Sequence, residues 1–195
     1  MDFDGNVTNS FNTPSTIPSF NYYGFLETID GGYAILSNQP ETEDRFFNIN
    51  KNPKQSIFNR FSSMRYDITL TKFDSDFNQE WSSVLDINSN GSSYDQATMV
   101  IQDQADGSYY ALGRTIYNFV DFSDYQFDIF TAKFDVNGSN IFSSIFGNES
   151  FHDIPKFISF NEFNQLSIFA LKYTDPKESW IFKIDKDGIR TDKTF

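Results

Sequence analysis

Apolar and polar positions run along this chain in short β-rich stretches broken by Gly, Asn and Asp, a pattern of strands joined by tight turns. Tyr23-Gly24-Phe25-Leu26-Glu27-Thr28 precedes a turn at Ile29-Asp30-Gly31-Gly32 and then Tyr33-Ala34-Ile35-Leu36. Ala97-Thr98-Met99-Val100-Ile101-Gln102 precedes Ala105-Asp106-Gly107-Ser108 and then Tyr109-Tyr110-Ala111-Leu112-Gly113. Lys156-Phe157-Ile158-Ser159-Phe160 precedes a polar Asn161-Glu162 turn and Gln165-Leu166-Ser167-Ile168-Phe169-Ala170. Each set predicts a hairpin.

A phrase follows each hairpin. Tyr66-Asp67-Ile68-Thr69-Leu70-Thr71-Lys72-Phe73-Asp74 returns as Phe127-Asp128-Ile129-Phe130-Thr131-Ala132-Lys133-Phe134-Asp135, and more loosely as Glu178-Ser179-Trp180-Ile181-Phe182-Lys183-Ile184-Asp185. In every copy an acid is followed five places later by a lysine, then by an apolar residue and an aspartate. A second turn comes next, at Ser75-Asp76-Phe77-Asn78, Val136-Asn137-Gly138-Ser139 and Lys186-Asp187-Gly188, and a further strand after it. Self-similarity of this kind means one supersecondary unit used several times.

The unit therefore reads strand, tight turn, strand, variable loop, strand, tight turn, strand, which is the order of a four-stranded propeller blade. Lys72 and Lys133 lie 61 residues apart, and Lys133 and Lys183 lie 50 apart. Those intervals sit at or above the ~40–50 residues of known blade repeats. The predicted fold is all-β: about three four-stranded antiparallel blades at residues 20–86, 94–147 and 152–195. Residues 1–14 are expected to form the last strand of a preceding or shared blade. Length variation falls in the loop between second and third strands, Asn38–Arg65, Tyr117–Gln126 and Thr174–Lys177, so whatever is specific is expected there. One helical turn is expected near Gln55–Phe61.

The pattern resembles the SBBP-type β-propeller repeats of bacterial secreted and surface proteins. The resemblance rests on Asp30-Gly31-Gly32-Tyr33, on the three phrases and on the Asp135–Gly138 turn, and it spans Phe20 to Gly188. The third hairpin departs from it by lacking Asp-Gly, and Trp81 has no tryptophan counterpart. The resemblance implies a scaffold without shared catalytic residues and a secreted or cell-surface location. Met1-Asp2-Phe3-Asp4-Gly5 lacks the basic start and apolar run of a signal peptide, so the expectation is either a leader outside this chain or a cytoplasmic protein.

Three blades leave apolar blade faces in water, whereas closed propellers have about 4–8 blades. Further blades from a longer chain, or a second copy closing the ring, are both expected solutions.

Composition narrows the partners. The chain has 195 residues, 24 Phe, 10 Tyr and a formal charge of −12. Such a field repels a phosphate backbone, so nucleic acid is not an expected partner. No stretch approaches the ~20 apolar residues of a membrane span. With no cysteine, disulfides and thiolate chemistry are excluded.

The Asp-x-Asp/Asn-Gly turns place oxygen ligands at alternate positions, so Asp135, Asn137, Asp185 and Asp187 are candidates for calcium. The competing reading is turn chemistry, since Asp, Asn and Gly favour such turns. No other cofactor is expected. Lys72 and Asp74 share a strand face and could pair; as a feature repeated in each unit, the acid–lysine–aspartate set reads as structural, against the rival reading of a catalytic carboxylate arrangement. Carboxylates of the variable loops, Glu41, Glu43, Asp44, Asp121 and Asp124, offer a glycosidase pair only if their separation suits one. His152 stands without a nucleophile motif and reads as a surface residue. Tyr117, Phe119, Phe122 and Tyr125 form an aromatic cluster suited to stacking on a sugar or gripping a protein. The leading functional expectation is a non-catalytic scaffold or binding module of an extracellular or cell-surface assembly, with a protein or carbohydrate partner. Its rivals are a carbohydrate-active enzyme with a carboxylate site in the channel, and a self-assembling structural subunit.

Overall fold

The computed structural model describes residues 21–40, 66–87, 94–116, 126–147, 151–174 and 176–192. Among the described residues the chain is all-β, without a helix, and its strands make three separate antiparallel sheets. The first sheet runs β1 (Asn21–Glu27), β2 (Tyr33–Pro40), β3 (Tyr66–Phe73) and β4 (Gln79–Leu85), each paired with the next. The second repeats this order with β5 (Gln96–Gln102), β6 (Tyr109–Ile116), β7 (Phe127–Phe134) and β8 (Asn140–Phe146). The third holds β9 (His152–Phe160), β10 (Leu166–Tyr173) and β11 (Glu178–Ile184).

The sheets repeat one register. Lys72 lies opposite Ala34 and Trp81, and Lys133 lies opposite Tyr110 and Phe142. Lys183 occupies the same place on the third strand of its sheet, opposite Ser167. In both four-stranded sheets the ladder slips directly after the lysine, between Lys72 and Phe73 and between Lys133 and Phe134. The following turn is built alike three times. Asp74 Oδ1 accepts the N–H groups of Asp76 and Asn78, Asp135 those of Asn137 and Ser139, and Asp185 those of Asp187 and Ile189, at 2.8–3.0 Å. Gly138 and Gly188 take positive φ there (83° and 79°), while Phe77 holds that conformation in the first unit (63°) and stacks on Tyr33 at 4.7 Å.

Among the described residues the third unit shows three strands where four are expected. Arg190 forms a lone bridge to Ile184, and Thr191 N–H donates to the Lys183 carbonyl at 2.8 Å. Asp192 stands where the earlier units carry Trp81 and Phe142, and it pairs with Arg190 at 2.7 Å. The preceding-blade strand proposed for residues 1–14, the helical turn near Gln55–Phe61 and most of the Asn38–Arg65 loop lie outside the described residues.

The second sheet lies between the other two. Ala34, Leu36, Ile68 and Leu70 of the first sheet pack with Ala97, Val100, Ala111, Phe130 and Ala132 of the second. On the opposite face, Tyr110, Leu112 and Ile129 pack with Ile158, Leu166, Ile168, Ala170, Phe182 and Ile184 of the third. Burying large apolar side chains at ~1.5–3 kcal/mol each makes these two layers the main source of cohesion. The first strand of each later sheet runs across the sheet before it: β5 lies beside β1, β2 and β3, and β9 beside β5, β6 and β7.

Turns lock each layer to the next. Trp81 Nε1 donates to the Val136 carbonyl at 3.0 Å, and Ser83 Oγ bonds the Gly138 carbonyl. Between the second and third sheets, the Tyr110 hydroxyl donates to the equivalent carbonyl, that of Lys186, at 3.4 Å, and the Lys186 ammonium pairs with Asp103.

Candidate functional site

The densest grouping of chemically capable side chains is acidic and sits where the first sheet meets the second. Asp67 is the second residue of β3, Asp86 follows β4, and Asp95 precedes β5; one carboxylate oxygen of each lies within 4.8 Å of the others. Asp95 is fully buried. Its carboxylate accepts the Thr115 hydroxyl at 2.6 Å and the Ile87 N–H at 2.9 Å. Its own N–H donates to the Tyr66 carbonyl at 2.9 Å, and its carbonyl accepts the Asn38 amide at 3.2 Å. Asn38 Oδ1 in turn accepts the Ala97 N–H at 2.9 Å, and the Tyr66 and Tyr94 rings meet edge-on at 5.1 Å.

Burial pushes the Asp95 carboxyl up to about 7, against the hydrogen bonds from Thr115 and Ile87, and the charges of Asp86 and Asp67 push the same way. A proton held by Asp95 relieves that repulsion. Carboxylate oxygens are also the donors a hard cation prefers, and three aspartates supply some of the ~6–8 oxygens calcium takes. The hydrogen bonds make the arrangement a latch that ties the segment between β4 and β5 to β3 and β6. A reduced version recurs between the second and third sheets, where Asp128 and the buried Asp153 hold the places of Asp67 and Asp95. Gly147 replaces Asp86 there, because a Cβ at that position would lie 1.8 Å from Asp128 Oδ1.

The repeated lysines work differently from the strand-face pairing. Lys72, 2% exposed, binds Asp30 at 3.0 Å, Glu80 at 2.7 Å and the Phe73 carbonyl at 2.9 Å. Asp74 is engaged by its own turn instead, since its oxygens accept Asp76 N–H, Asn78 N–H and the Asn78 amide. Burial works against the Lys72 charge, but Glu80 and Asp30 outweigh it and hold the ammonium above its ordinary value. Asp30 falls to about 2, chiefly through its bond from the Thr28 hydroxyl, with Lys72 adding to the effect against partial burial. Lys133 pairs likewise with Asp106, at 3.5 Å, and lies over the Tyr110 ring. Asp30 and Asp106 are the aspartates of the two Asp-Gly hairpin turns. The third hairpin lacks that aspartate, and among the described residues Lys183 is exposed with no ion pair.

Asp135 and Asp185 of the calcium-candidate turns each commit one oxygen to backbone N–H groups, and Asn137 and Asp187 contribute their N–H groups to the same turns. His152 is half-buried rather than a plain surface residue: its Nδ1 accepts the Phe127 N–H at 3.3 Å, and its ring lies 5.5 Å from that of Phe127. Tyr117, Phe119, Phe122 and Tyr125 lie outside the described residues, as do Glu41, Glu43, Asp44, Asp121 and Asp124. The Asp67–Asp86–Asp95 group escaped the sequence reading. Its one available signal was the recurrence of Asp95 at Asp153, eight residues ahead of Asp103 and Asn161, the residues that open the two hairpin turns. No helix among the described residues is long and apolar enough to cross a membrane. No family model and no curated protein matches this chain.

Proposed function

We propose that the three sheets are blades of a β-propeller, and that the chain serves as a non-catalytic scaffold or binding module of an extracellular or cell-surface assembly. The observation that carries the reading is the repeat of one register in successive stacked sheets, whose buried faces pack one on the next. Blades of a propeller are four-stranded sheets that pack face to face around a central channel. The resemblance to SBBP-type repeats points in the same direction, and with it a protein or carbohydrate as the partner.

The acidic latch does not favour the hydrolase alternative. A glycosidase sets two carboxyl groups ~5–9.5 Å apart around a sugar that reaches both. Asp95 is fully buried, and its oxygens already serve Thr115 and Ile87. The test is to titrate the purified chain against a panel of polysaccharides while measuring new reducing ends. Binding without new ends is the expected result. Reducing ends that appear with the native chain and vanish with Asp95→Asn overturn the scaffold reading.

A further inference from the structure

The turn that locks the second sheet to the first holds Asn137 followed by Gly138. Among the described residues no other asparagine precedes a glycine. Asn137 is exposed, and its side-chain amide makes no hydrogen bond among the described residues. The amide of Asn78, in the first unit's turn, is held by Asp74. Gly138 sets no Cβ beside its own nitrogen.

The carbonyls on either side of Asn137 are the ones that hold the first sheet. Trp81 Nε1 donates to Val136 at 3.0 Å, and Ser83 Oγ bonds Gly138. Asp135 Oδ1 spans the same stretch, accepting the N–H groups of Asn137 and Ser139 at 2.9 and 2.8 Å. The length of main chain between these groups sets the fit of the lock.

We propose that Asn137 is a self-modification site, and that its isoaspartyl product releases the second sheet from the first. The Gly138 nitrogen loses its proton to hydroxide and attacks Asn137 Cγ. The new C–N bond closes a succinimide ring, and the side-chain nitrogen takes up a proton and leaves as ammonia. Water then opens either ring carbonyl, giving aspartate or the β-linked isoaspartate. One water is taken up and one ammonia lost, and the new carboxylate adds a negative charge to the −12 of the chain. In the closed turn the Gly138 N–H is bonded to the Asp135 carbonyl at 3.1 Å, so the attack starts from the opened turn.

The two products act differently on the lock. Aspartate is what the other units carry at this place, as Asp76 and Asp187, and their turns make the same bonds to Asp74 and Asp185. Isoaspartate adds one C–C bond, ~1.5 Å, to the main chain between the Val136 and Gly138 carbonyls. The two acceptors then no longer meet Trp81 and Ser83 together.

The test holds the native 195-residue chain at mildly alkaline pH, maps its peptides by mass spectrometry and separates the charge variants by ion exchange. The folded chain is expected to convert at Asn137, more slowly than the same chain unfolded in urea. Its isoaspartyl fraction is expected to unfold at a lower urea concentration than its aspartyl fraction. Asn137→Asp, which makes the aspartyl product directly, is expected to keep the native midpoint, and Asn137→Gln to stay unconverted over the same period. A folded chain left unmodified at Asn137 while the unfolded one converts, or an isoaspartyl fraction with the native midpoint, overturns the proposal. So does an Asn137→Asp midpoint as low as that of the isoaspartyl fraction, because added charge and not backbone length would then open the lock.

Discussion

Gly31 and Gly138 share a backbone conformation and differ in what surrounds them. Both take positive φ, 81° and 83°. A Cβ on Gly31 would meet nothing within 4 Å, whereas one on Gly138 would lie 2.6 Å from Trp81 Cε3 and 2.7 Å from Ser83 Oγ of the neighbouring sheet. Gly31→Ala should therefore show only the left-handed backbone cost, ~1–2 kcal/mol. Gly138→Ala carries the same cost plus overpacking against the first sheet, ~1–3 kcal/mol more. The expected total is ~2–5 kcal/mol, a large share of the ~5–15 kcal/mol that holds a domain together. Urea unfolding followed by circular dichroism gives both midpoints, and the difference between the variants isolates the intersheet contact. Trp81→Ala placed in the Gly138→Ala background should lose less stability than it does alone, because it opens room for the new methyl. Equal costs for the two glycine variants, within ~0.5 kcal/mol, would refute the stacked arrangement of the first two sheets.

Two further outcomes follow from the charged groups. The Asp95 carboxyl titrates at about 7 in the folded protein against ~3.9 for an unfolded aspartate, so the folded state keeps a proton that the unfolded chain has released. Its contribution therefore makes stability fall as pH rises between those values, by up to ~4 kcal/mol, and level off above about 7. Asp95→Asn should flatten that slope in urea midpoints taken at intervals from pH 5 to 8, and an unchanged slope would remove Asp95 as its source. At the buried lysine, the double variant Asp30→Asn/Glu80→Gln strands a charge, which costs ~3–5 kcal/mol in a dry site and less here because both partners are half exposed. Lys72→Met removes the charge as well, so thermal melts should rank it above the double variant; the reverse order would mean that solvent reaches Lys72.

Much of the architecture was legible because its causes are local. Alternating apolar runs set the strands. The chemistry of Asp74, Asp135 and Asp185 set the turns, since an aspartate side chain that accepts two nearby N–H groups needs nothing distant. Three antiparallel sheets, of four, four and three strands, lie among the described residues in the order that the repeated phrases set out.

Partner choice was not legible. Lys72 turned to Asp30 and Glu80, and not to Asp74, because the hairpin turn folds over the same face of the sheet while Asp74 is occupied by its own turn. Asp67, Asp86 and Asp95 are scattered along the sequence and meet only once β3, the end of β4 and the start of β5 are brought together.

The sequence by itself determined where the strands and tight turns fall, because strand period and turn chemistry act over a few residues. Only the tertiary structure decided which faces lie against each other, which aspartate loses its water and which carboxylates a buried lysine takes. Those outcomes depend on stacking, where burial is shared between segments far apart in the chain and no local propensity encodes it.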